Sequence, residues 1–152
     1  MKRFIILAAL AAALGTTAVG LAAGGPAITE KVLGAASVSQ PYSIHVGKPA
    51  DVVVARAKVP PGASFGWHYH RSSVAVVVRS GTLTLYDSAD PTCSPQRYSA
   101  GQGFVERRHH VHLARNEGQK PVVVLVTYLG LKHGVKPDVP APAPAGCSPS
   151  TR

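Results

Sequence analysis

Between residues 51 and 131 the apolar positions come in short runs broken by glycine, proline and polar turns. Asp51–Val59 begins with three consecutive valines and from Val53 on alternates apolar with polar residues, the period-2 pattern of a half-buried strand. Pro60-Pro61-Gly62 then breaks the chain. Ser64–His70 and the valine-rich Ser73–Arg79 predict two further strands. The turn Ser80-Gly81 leads into Thr82–Tyr86, and this pair is expected to form a β-hairpin. Shorter strands are predicted at Gln96–Ala100, Phe104–Glu106 and His110–Ala114, and a long one at Pro121–Leu129. No amphipathic helix of useful length occurs in this stretch. Many short strands with regular Gly/Pro turns predict an all-β sandwich or barrel.

The chain ends depart from this pattern. Lys2 and Arg3 precede an apolar, alanine-rich run from Phe4 to Leu14, and Gly15-Thr16-Thr17 then lead into small residues up to Ala23. Residues 1–23 therefore predict a cleaved export signal; the competing reading is an N-terminal membrane anchor, because Phe4–Ala23 is just long enough to span a bilayer. Residues 24–48 form a mixed lead-in, 49–131 the single β domain, and 132–152 a tail. The Pro-Ala pairs of residues 137–149 predict an extended tail without packed structure of its own.

At 152 residues the chain is long enough to bury a core, and 45% hydrophobic content excludes a disordered class. The formal charge is +9, of which Lys2 and Arg3 supply two. The remaining basic residues are scattered, with Arg107-Arg108 the densest pair, so the sequence predicts a basic solvated face and no nucleic-acid partner. Two cysteines, Cys93 and Cys147, sit in Pro/Ser-rich loops without a nearby cysteine partner. In an exported chain they predict a disulfide pinning the tail to a loop. No P-loop, nucleophile elbow or dinucleotide fingerprint is present.

The candidate chemistry lies in the histidines. Two residues apart on a strand, His68 and His70 point to one face. His112 lies in a later strand, and three imidazoles from neighbouring strands make a facial metal site with an open position. Trp67 and Tyr69, on the alternate face, are expected to pack in the core, and His110 shares the parity of His112.

At these residues the chain resembles the cupins. Gly62-x5-His68-x-His70-x3-Val74-x6-Gly81 follows the first cupin motif in every spacing. Gly101-x5-Arg107-x-His109-x2-His112-x3-Asn116 follows the second, and 19 residues, Thr82 to Ala100, separate the two. The resemblance covers roughly residues 50–130 and is nearest to small secreted bacterial single-domain cupins. It implies a cupin-type jelly-roll β-barrel holding a divalent metal (zinc, iron, manganese, nickel or copper) on His68, His70 and His112. The chain departs from the pattern at three places. Val74 stands where the family usually has a glutamate ligand, and Arg107 and His109 stand where it has proline and glycine. Glu106 is the candidate replacement, as a ligand or as a base toward bound water; otherwise it is a surface residue paired with the neighbouring arginines.

Three function classes follow: a metal-dependent enzyme of dioxygenase or isomerase type, a binding module for a small ligand or metal, and a barrel without metal. The partner expectations are a small molecule and a second copy of the chain.

Overall fold

The computed structural model describes residues 30–149, so the expected export signal lies outside the described residues. Among them, no helix is long and apolar enough to cross a membrane. The described residues form ten strands: β1 Ser37–Val38, β2 Asp51–Val59, β3 Ser64–His70, β4 Ser73–Ser80, β5 Thr82–Asp87, β6 Gln96–Ser99, β7 Gln102–Glu106, β8 His112–Arg115, β9 Val122–Leu131 and β10 Asp138–Pro140. They form two five-stranded sheets, ordered β1-β7-β4-β9-β2 and β10-β3-β8-β5-β6. The architecture is a jelly-roll β-barrel, all-β as the pattern predicts.

The core lies between the sheets. Val74, Val76 and Val78 of β4 and Val122, Val124 and Tyr128 of β9 meet Leu83 and Leu85 of β5 and Ala114 of β8. Alternation on β4 turns these valines inward and leaves Ala75 and Val77 only half-buried. Each fully buried valine or leucine contributes about 1.5–3 kcal/mol relative to exposure. Asn116, fully buried, ties the end of β2 to the turn before β9: its amide nitrogen donates to the carbonyls of Val59 at 2.9 Å and Lys120 at 2.8 Å.

Three expectations are corrected. β4 and β5 do not form a hairpin, because they belong to different sheets. The pairing of β4 with β9 shifts register between Val78 and Ser80. Gly81, at φ +78°, then turns the chain across the barrel corner; a Cβ there would lie 2.9 Å from Val122 Cγ2. The tail is not loose either: Asp138–Pro140 pairs antiparallel with His68–His70, and Cys147 is buried in a disulfide with Cys93. Trp67 and Tyr69 face away from the interior and stay half-buried, outside the core. The lead-in also contributes a strand, since Ser37–Val38 pairs parallel with β7.

Candidate metal centre

Strand alternation turns His68 and His70 of β3 inward, at 6% and 3% exposure. β8 lies beside β3 with His68 opposite His112, which is 2% exposed. The ring centroids are 4.4 Å apart for His68–His112, 4.9 Å for His68–His70 and 5.1 Å for His70–His112. One nitrogen from each ring falls within 4.8 Å of the other two, so three buried histidines are positioned to bind a metal ion.

The hydrogen bonds select which nitrogen each ring presents. His68 Nδ1 donates to the Gly66 carbonyl at 2.9 Å, and His112 Nδ1 to the His110 carbonyl at 2.9 Å. His70 Nδ1 has two acceptors, Asp138 Oδ1 at 3.1 Å and the Pro137 carbonyl at 3.3 Å. A proton on every Nδ1 leaves every Nε2 with a free lone pair, the form that ligates metals.

Glu106 closes the site from the opposite sheet. Its Oε2 lies 3.0 Å from His70 Nε2 and its Oε1 2.9 Å from His112 Nε2. The side chain is buried, not paired with Arg107 or Arg108 in solvent. Glu106 is the cross-strand partner of Val74, so this carboxylate enters one strand over from the position where Val74 replaces the glutamate that the resemblance implies. It does not reach the site by continuing in phase toward His112, since β7 ends at Glu106 and β8 starts at His112 in the other sheet. Barrel closure brings the two together.

The electrostatics follow from this packing. Burial opposes a charge on Glu106, yet His112 and His70 hold its carboxyl down to about 2. Burial likewise pulls His70 down, but Asp138, Glu106 and the Pro137 carbonyl outweigh it and raise the imidazole to about 9. His68 has no carboxylate contact of this kind, and burial lowers it. His112 Nε2 is buried and makes no well-angled hydrogen bond despite its nearness to Glu106. A buried carboxylate facing imidazole lone pairs at about 3 Å is repulsive unless a cation or proton lies between them. Without metal a proton on His70 fills that role; the clustered histidine nitrogens beside an anionic carboxylate also fit a divalent metal that replaces it.

Sequence reasoning missed Asp138 and Tyr128. Tyr128 donates its hydroxyl to Asp138 Oδ1 at 3.2 Å, and its ring stands edge-on to His70 at 5.5 Å. Their only sequence signal is an acid inside a Pro-Ala stretch. His110, which shares parity with His112, stays outside the cluster and pairs with Asp87 at 2.6 Å. Its neighbour His109 takes a left-handed conformation, φ +60°, at the position of the family glycine. Its backbone N–H donates to the His70 carbonyl at 2.7 Å, and its ring meets Tyr69 edge-on at 5.8 Å. A cavity of about 30 Å³ remains beside the histidines, bordered by Phe65, Phe104 and Leu83. That is room for one or two water-sized groups.

The cupin-domain family profile matches residues 55–128. A search of curated proteins by sequence finds no match. Among solved structures, the chain is similar to the polyketide cyclase RemF of Streptomyces resistomycificus, with 16% identity, TM-score 0.52, and coverage of 65% of this chain and 66% of that one. A cupin-like protein of Thermotoga maritima aligns at 17% identity and TM-score 0.51, over 59% of this chain and 64% of the other. The DMSP lyase DddQ of Ruegeria pomeroyi aligns at 17% identity and TM-score 0.50 over 60% of this chain, but only 44% of the lyase's length is spanned. At these identities the likeness is one of fold. The cupin-domain profile match, with the barrel fold, supports membership of the cupin superfamily.

Proposed function

We propose that this protein is an exported metal-binding cupin that holds a divalent transition metal on the Nε2 atoms of His68, His70 and His112, with Glu106 as its anionic partner, and binds or acts on a small molecule there. The observation that carries the reading is the common orientation of the three rings: every Nδ1 is committed to an oxygen acceptor, and every Nε2 is left for the interior. Glu106 replaces the charge lost at Val74, and because His112 and His70 hold it ionised, it serves as a ligand or charge partner better than as a proton acceptor. A bound metal supplies Lewis acidity and can lower the pKa of a coordinated water. Phe104, Leu83 and Val124 give the site an apolar lining beside its histidines and carboxylate. The Cys93–Cys147 disulfide is compatible with an oxidising compartment and so with export.

The test is metal analysis and chelator competition on protein without a histidine tag. His68→Ala, His70→Ala and His112→Ala should each abolish stoichiometric metal. Glu106→Gln, which keeps shape and removes charge, should weaken affinity by roughly tenfold or more, as expected for loss of a charged group at the metal. Full metal loading in the His68→Ala/His70→Ala double variant would refute the site.

Turnover and simple ligand binding are separate outcomes of one measurement. Oxygen uptake or product formation by iron-loaded protein with thiols, phenols or diketones marks an enzyme. Saturable binding of such compounds without turnover marks a binding module.

A further inference from the structure

The Pro-Ala segment lacks the composition of a strand, yet its first residues lie against the histidine-bearing strand. In β10, Asp138 is opposite His70, Val139 opposite Tyr69 and Pro140 opposite His68. The Ala141 N–H extends the contact to the Trp67 carbonyl at 2.9 Å. Prolines lack the N–H a central strand needs, and β10 occupies the edge of its sheet.

Two restraints hold this short strand. At the sheet edge, where its side chain is 46% exposed, Asp138 Oδ1 accepts from Tyr128 of the opposite sheet while facing His70 Nδ1. At its far end, Cys147 is bonded to Cys93, 54 residues earlier, with Cα atoms 5.3 Å apart. Cys93 sits in a loop organised by Asp90, which accepts from the Thr92 and Ser94 backbones through its carboxylate and from Cys93 through its carbonyl. The disulfide thus joins the tail to an ordered anchor.

We propose that this clipped C-terminal strand is a working part of the metal centre: Asp138 is a positioning residue that fixes the ring orientation and tautomer of His70, and the Cys93–Cys147 bond keeps it in place. The inference rests on the three-histidine reading above. A carboxylate on the Nδ1 proton of a ligating histidine raises the basicity of Nε2 and stops the ring from rotating, and losing such a partner typically costs 10–100-fold in metal affinity. Asp138 borders the cavity but is not one of the three clustered ligand residues; it acts through His70.

The experiment measures Zn²⁺ affinity by competition with a chromophoric chelator, and Co²⁺ absorption as a report of ligand geometry, on the full chain. Asp138→Ala should lose 10–100-fold in Zn²⁺ affinity and shift the Co²⁺ bands, with Asp138→Asn in between because it keeps an acceptor but no charge. In a His70→Ala background the same Asp138 substitutions should have no further effect on residual Zn²⁺ binding. The Cys93→Ser/Cys147→Ser variant should weaken Zn²⁺ binding in the same direction; if it does not fold, Tyr128→Phe takes its place, with a loss of several-fold. Wild-type affinity in folded Asp138→Ala, or an equal loss with and without His70, overturns the proposal while leaving the three-histidine site intact. Absence of Zn²⁺ binding by the wild-type protein overturns the site itself, and this inference with it.

Discussion

Single residues show where this barrel departs from the family pattern and how it compensates. The turn between β7 and β8 needs a left-handed residue, and His109 adopts it at φ +60° where cupins usually have glycine. A non-glycine residue there costs roughly 1–2 kcal/mol. The hydrogen bond to His70 and the contact with Tyr69 offset part of that cost and tie the turn to the metal-bearing strand. His109→Gly should therefore stay within about 1 kcal/mol of wild type, because relief of strain opposes lost packing and a more flexible unfolded chain. His109→Val, with a β-branched side chain unsuited to positive φ, should lose about 1–2 kcal/mol or more. Urea denaturation of the two variants gives the comparison, and equal stabilities would show that the conformation is unstrained.

At the scale of elements, the tail is the part whose order depends most on a covalent bond. β10 contributes three paired residues, each of them either proline or next to one, so its own pairing is weak. In the chain-entropy model a disulfide closing a loop of this size contributes about 4 kcal/mol, often less in practice. Reducing or removing Cys93–Cys147 should lower the melting temperature by on the order of 10 °C. Hydrogen exchange should speed up first at Ala141, whose amide is held by Trp67, and leave the β4–β9 amides protected. Uniform loss of protection across both sheets would instead mean that the disulfide supports the whole barrel.

At the scale of the molecule, metal and protons compete for one set of lone pairs, and this sets how stability depends on pH. In the metal-free protein His70 is raised to about 9, so its contribution is complete below the ordinary histidine value of 6.5 and is lost as pH rises through about 9. Glu106 is lowered to about 2, so its contribution is present above its ordinary 4.5 and is lost as pH falls toward 2. Between them the two groups favour the metal-free barrel most from about 4.5 to 6.5. Metal binding needs neutral histidines and releases protons, so saturating Zn²⁺ should move the stability maximum above that window. It should also stabilise by about 2.7 kcal/mol at a hundredfold excess over Kd. Thermal melts across pH, with and without Zn²⁺, check both statements; an unchanged optimum would disprove the competition.

Much of this protein follows from the sequence alone, because its information is local. Period-2 alternation and Gly/Pro turns specify eight strands within a few residues, and alternation places His68 and His70 on one face. Motif spacing adds His112, and the even cysteine count anticipates the disulfide. What the tertiary structure decided was non-local. The split of β4 and β5 into different sheets depends on a corner at Gly81 packed against Val122, which no turn signal distinguishes from a hairpin. The sequence offers Glu106 only as a replacement for the glutamate absent at Val74, and the structure brings it to the histidines from the opposite sheet. Asp138 was hidden in a proline-rich tail, since sequence cannot show that a disulfide 9 residues beyond it holds that tail against His70. Local periodicity decides which way a side chain points from its own strand; only closure of the barrel decides what it meets.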